Sequence, residues 1–170
     1  MLKITLVFYI FFLTGCSLNQ KYNVEAANIN AKLGLVYLQQ GRVELAKTKL
    51  LIAIKQAPYD AKVNIAFGDF FAYTGERDLA EKHYLCAIKQ ANENGKGIFW
   101  HSYGSFLYQQ GRYVEALGYF LLAAKDVNYL FVAKAYADAD YASLKLKQDS
   151  LARKYRLAAI SHDPNIYEKS

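Results

Sequence analysis

The sequence predicts an all-helical solenoid of about four stacked helix pairs, and three observations carry that prediction. Glycines recur at a period near 34 residues, with Gly34, Gly68 and Gly104 heading the pattern and Gly41, Gly75 and Gly111 each seven positions later. Small residues keep the same step as Ala46 and Ala53, Ala80 and Ala87, Ala116 and Ala123, then Ala152 and Ala159. Two prolines and ten glycines in 170 residues, with 54% apolar and 21% charged side chains, leave long stretches open to helix and describe a globular chain.

The first element is not part of the solenoid. Met1-Leu2-Lys3 is a short basic start, and Ile4 to Leu13 form an apolar run. A run of about ten residues is half of the roughly 20 that a membrane-crossing helix needs, so residues 1–15 read as a signal peptide. Leu13-Thr14-Gly15-Cys16 resembles the lipobox of bacterial lipoproteins. That resemblance implies cleavage between Gly15 and Cys16, a diacylglyceryl group on the Cys16 thiol, and an acyl chain such as palmitate on the new amino group. Two or three chains hold a protein on a membrane where one does not. The alternative makes Cys16 an ordinary cysteine ending an apolar segment. Ser17 stands where an Asp would retain such a protein at the inner membrane, which implies transfer to the outer membrane, facing the periplasm. Residues 16–26 read as a lipidated tether with a helix starting near Asn23. With Cys16 acylated, Cys86 has no disulfide partner and reads as a small core residue.

The repeat units follow as residues 27–60, 61–94, 97–130 and 133–166. Each is read as a first helix of about 12 residues, ended by a glycine in the left-handed conformation, and a second helix whose alanines let backbones approach closely. Tyr37, Leu50, Phe71, Tyr84, Trp100, Leu107 and Phe120 fall at helical spacing from those small residues and read as core. Two extra residues around Asn94-Gly95-Lys96-Gly97 lengthen the second connection. The fourth unit is degenerate, with Asp140 in the glycine position and Lys147 at the turn, and rests on Tyr136, Ala152, Ala159 and Pro164. Pro58 and Pro164 close the first and last units. This pattern resembles the tetratricopeptide repeat, a right-handed superhelix of helix pairs, over residues 27–164.

A helix pair cannot bury both of its faces, and stacking pairs leaves a concave groove. By the geometry of the repeat, the exposed side of each first helix lines it: Asn28, Ala31, Leu35 and Leu38, then Lys62, Ile65, Asp69 and Tyr73. Ile98, His101, Ser105 and Tyr108 continue the lining, and Lys134, Ala137, Tyr141 and Leu144 complete it. The lining is mixed and largely apolar, which suits an extended or helical protein segment with apolar anchors. Each of these residues also has the simpler reading of covering the inner surface.

Catalytic chemistry finds no footing. His83, His101 and His162 have no second ligand at metal spacing, and no paired cysteine motif, phosphate loop or nucleophile elbow is present. The expectation is therefore no enzyme, no cofactor or metal, and no small-molecule substrate. The formal charge of +6, about +5 without Lys3, is scattered and forms no basic stripe, so nucleic-acid binding is not expected.

One stretch is more specific than the repeat. Trp100-His101-Ser102-Tyr103-Gly104-Ser105-Phe106-Leu107 followed by Gly111-Arg112-Tyr113-Val114-Glu115-Ala116, with Asn128-Tyr129 beyond, resembles the type IV pilus biogenesis and stability lipoproteins. Tyr108 stands where that family often has Cys, and Asn128 where it has Pro. The resemblance implies a pilotin, an outer-membrane lipoprotein that binds pilus secretin subunits and promotes their localisation and multimerisation. Two other readings remain: an adaptor lipoprotein for cell-wall hydrolases or outer-membrane barrel assembly, and a structural bridge between membrane and wall.

Overall fold

The computed structural model describes residues 23–92 and 95–168, in which eight helices follow one another and no strand occurs. The segment read as a signal peptide, Gly15, Cys16 and the tether as far as residue 22 lie outside the described residues. The helices pair as α1 (Val24–Gln39) with α2 (Val43–Gln56), α3 (Ala61–Thr74) with α4 (Arg77–Gln90), α5 (Gly97–Gln109) with α6 (Tyr113–Lys125), and α7 (Val132–Lys145) with α8 (Asp149–His162). First helices run 13 to 16 residues, longer than the 12 or so expected. Helix α1 starts inside the stretch read as a tether, because the Asn23 side chain accepts from the Ala26 N–H at 3.0 Å and caps it. None of the described helices is long and apolar enough to cross a membrane.

One turn closes every first helix. The N–H groups of Arg42, Glu76, Arg112 and Gln148 donate to the carbonyls of Tyr37, Phe71, Leu107 and Ser143 at 2.8 to 2.9 Å, a six-to-one closure that needs a left-handed residue between. Gly41, Gly75 and Gly111 supply it with φ of 70°, 85° and 77°, and Lys147 does so at 59°. The fourth unit therefore turns like the others, with a lysine held where glycine is easier.

The packing within each pair is a hole meeting a knob. A Cβ built on Gly34 would stand 2.8 Å from Leu50 Cγ, and on Gly68 or Gly104 it would stand 2.9 Å from the rings of Tyr84 or Phe120. In the fourth unit the same two positions hold Asp140 and Arg156. The Asp140 side chain is fully buried, and Arg156 donates to it from Nε at 2.9 Å while Tyr167 donates from its hydroxyl at 2.9 Å. An ion pair thus fills the space that glycine and a large apolar side chain fill elsewhere, so the apparent degeneracy is an exchange of shape for charge. Tyr167 lies one residue past the end assigned to that unit.

The alanines expected at close approaches, Ala46, Ala53, Ala80, Ala87, Ala116, Ala123, Ala152 and Ala159, are 0 to 2% exposed. Leu50, Tyr84, Leu107 and Phe120 are buried, while Tyr37, Phe71 and Trp100 are partly buried at the edges of the same clusters. Cys86 departs from its expected place: it is half-buried, not core. Its register is shared by Ile52 and Leu122, which are 39% and 43% exposed, so that stripe of the second helices looks outward.

The backbones of consecutive first helices approach one another, α1 to α3, α3 to α5 and α5 to α7, whereas among the described residues those of the second helices do not. Layers packed on one side and splayed on the other bend the array toward its first helices. The lengthened connection before α5 has its own device. Asp126, at the end of α6, accepts from the Gly97 N–H at 2.6 Å and caps α5, and a Cβ on Gly97 would stand 2.5 Å from Tyr129 Cβ.

Candidate functional site

The bend leaves a groove along α1, α3, α5 and α7 in which three pockets follow one another. Helical spacing of three, four and seven sets Asn28, Ala31, Lys32 and Leu35 on one face of α1. These meet Lys62, Ile65 and Ala66 of α3 and Ile98 and Phe99 of α5 around a pocket of about 350 Å³. Further along, Leu38, Gln39, Asp69, Ala72, Tyr73, Tyr84 and Gln109 line a second pocket. Ser105, Tyr108, Gln109, Phe120, Lys134, Asp138 and Tyr141 line a third, of about 220 Å³.

The structure thus distributes the residues assigned to the groove. Leu35, Lys62, Ile65 and Ile98 share the first pocket with Asn28 and Ala31. Leu38, Asp69 and Tyr73 share the second, and Ser105, Tyr108, Tyr141 and Lys134 the third. Ala137 and Leu144 line none of these three. His101 belongs to the interior: it is 8% exposed, its Nε2 lies 2.7 Å from Asp138 Oδ2, and its ring sits beside Phe120 and Tyr129. Ala31 and Ile65, in the same register, line the first pocket, whereas His101 lines none of the three because its ring is taken up by Asp138 on the next first helix. Sequence reasoning missed Lys32, Gln109 and Asp138. A signal existed for Asp138, which stands one helical turn after Lys134 and pairs with it at 3.4 Å.

The pockets differ in chemistry. In the second, Tyr84 donates its hydroxyl to Asp69 at 2.6 Å. Burial pushes the Asp69 carboxyl above the ordinary carboxylate value against the pull of that hydrogen bond, and burial also pushes the Tyr84 hydroxyl far up. Behind the groove, Tyr103 donates to Glu81, and this bond, aided by Arg112 at 2.8 Å, holds the Glu81 carboxyl below its usual range. His83 stacks on Phe67 and Phe71 with Nδ1 3.0 Å from Asn64 Oδ1, and burial lowers its basicity. These titratable groups are spent on one another across helix interfaces. Among the described residues no group of three or more His, Cys, Asp or Glu could hold a metal ion. The arrangement offers a continuous surface for contact along the first helices.

Residues 99–126, which span α5, its glycine turn and α6, match the family model described as Tetratricopeptide repeat. The fold is a tetratricopeptide-repeat solenoid. The chain is related to the type IV pilus assembly protein PilF of Pseudomonas aeruginosa, with 31% identity over 151 residues that cover 84% of this chain. It spans 59% of the length of that relative. A solved structure titled as a functional characterisation of Pseudomonas aeruginosa PilF superposes with a TM-score of 0.76 at 30% identity, covering 83% of this chain and 63% of that one. The crystal structure of PilW, titled a widely conserved type IV pilus biogenesis factor, gives a TM-score of 0.74 at 22% identity, covering 82% of this chain and 63% of that one, and shows the common repeat fold.

Proposed function

We propose that this protein acts in type IV pilus biogenesis as a pilotin, a lipid-anchored repeat protein that holds secretin subunits and promotes their localisation and multimerisation in the outer membrane. The observation that carries the reading is the 31% identity with PilF across 84% of the chain. The repeat adds a physical rationale. A solenoid presents one long continuous surface, so it grips an extended or helical segment of another protein without needing a reaction of its own.

Placement follows from the N-terminus. Leu13-Thr14-Gly15-Cys16 suits acylation of Cys16, and Ser17 suits onward passage to the outer membrane with the groove in the periplasm. An anchored groove concentrates its partner at one membrane, which is what multimerisation there requires. Loss of the gene is expected to remove heat-resistant secretin multimers and surface pili together. Normal multimers in its absence would overturn the reading. Cys16→Ser is expected to end lipid labelling and release the protein to the periplasm, measured by fractionation.

A further inference from the structure

We infer that the first pocket of the groove is the anchor point for one kind of partner segment: an apolar side chain with a carboxylate beside it. This deepens the proposed function and rests on the reading that the partner lies in the concave groove. Three features of the pocket converge on that chemistry. Its floor and walls are Ala31, Leu35, Ile65, Ala66, Ile98 and Phe99, and Ile98 is 50% exposed. An apolar hollow of about 350 Å³ takes one large aliphatic or aromatic side chain. The charged residues among its lining are Lys32 and Lys62, one from each of two adjacent first helices.

Those lysines differ from the cations in the rest of the groove. Lys134 is tied to Asp138 at 3.4 Å, whereas neither Lys32 nor Lys62 pairs with a carboxylate among the described residues. Lys62 lies in the first turn of α3, where Asp60 already caps the helix by accepting from the Lys62 and Val63 N–H groups at 2.9 and 3.0 Å, so what the pocket offers there is the Lys62 ammonium and not the helix end. Two ammonium groups on one apolar lining are served by an incoming anion, and a nearby basic segment would be repelled. The third feature is polar. Asn28 Oδ1, in the same lining, is buried and has no hydrogen-bond partner among the described residues. Rotation of its amide offers that oxygen to a backbone or side-chain N–H entering with the segment, and the terminal torsion of Asn is soft enough to allow it. The second and third pockets carry Asp69 and Asp138, so they do not share this preference for acid.

The test uses the full-length chain in its native envelope, with a photo-crosslinking side chain at Ile98, at Tyr141 near the other end of the groove, or at Leu157 on a second helix. The expected product at Ile98 is a partner peptide in which an apolar residue adjoins Asp or Glu. Joint Lys32→Glu and Lys62→Glu should cut that product about tenfold, Lys→Arg at both should keep it, and reversing the partner's acid to Lys should restore it in the Glu variant. Both lysines are exposed and an acid in the first turn of α3 favours that helix, so the variant folds; its helical melt is recorded alongside. An unchanged yield in the Glu variant overturns the inference, as does a product with a basic segment, a lipid or a second copy of the chain. A product at Tyr141 without one at Ile98 overturns the inference and leaves the groove reading standing. A product at Leu157 alone, or at none of the three, removes the groove reading itself.

Discussion

In each of the first three units a glycine on the first helix faces a large apolar side chain on the second, and in the fourth an aspartate faces an arginine at the same spacing of 16 residues. Both solutions join the two helices of a pair at the same positions, but they fail in different ways. A glycine and its knob are held by shape, so the contact tolerates no added carbon. Asp140 and Arg156 are held by charge, so the contact tolerates reshaping and not the loss of one partner. The repeat thus keeps one pair of facing positions and leaves the chemistry that joins them open.

Its sharpest break is Arg156→Ala, which strands the buried Asp140 carboxylate with Tyr167 as its remaining partner. We expect a loss of about 2–3 kcal/mol in denaturant unfolding, short of the roughly 3–5 of a wholly buried pair because the Arg156 side chain is 50% exposed. The double change Asp140→Gly with Arg156→Phe writes the third unit's solution into the fourth. It should recover stability to within about 1 kcal/mol of the parent, and strongly additive losses instead would show that the two solutions are not equivalent.

A smaller effect tests the shape-held side. Gly104→Ala puts a Cβ 2.9 Å from the Phe120 ring, and overpacking should outweigh the gain in helix propensity for a net loss of about 1–2 kcal/mol. Gly118→Ala, on α6 with nothing within 4 Å of the added carbon, should instead gain about 0.5–1 kcal/mol. If the two changes had the same sign in thermal unfolding, glycine at position 104 would not be a hole. The smallest effect concerns the turn. Lys147 sits at φ 59°, so Lys147→Gly should raise stability by about 0.5–1 kcal/mol, while Gly111→Ala at φ 77° should lower it by a similar amount.

The sequence made the array legible through size. Small residues at a fixed period are visible in a one-dimensional string, and so Gly34, Gly68, Gly104 and the eight alanines announced the helix pairs. What size could not announce was a substitution of kind. Asp140 and Arg156 look unrelated when each is compared with its own column, and only the 16-residue partnership shows them as one change. His101 was misplaced for a related reason. Its position on the helix was legible, but whether that position looks into the groove or across to the next first helix depends on what the next helix offers, and there the ring meets the Asp138 carboxylate at 2.7 Å. The apolar lining of the first pocket was largely readable from Ala31, Leu35, Ile65 and Ile98, whereas Lys32 was not, because an exposed lysine carries no mark of what it faces.

The carboxylate of Asp126 on the Gly97 N–H spans 29 residues and sets an order in time. A chain emerging from a ribosome or a translocation channel presents α5 well before the group that caps it. Until α6 has followed, the leading turn of α5 has its Gly97 donor to offer only to water, and it frays as helix ends do. The third unit is thereby a latch that closes from behind: its beginning is completed by its end, so a chain arrested between them lacks a finished unit on which the fourth can dock.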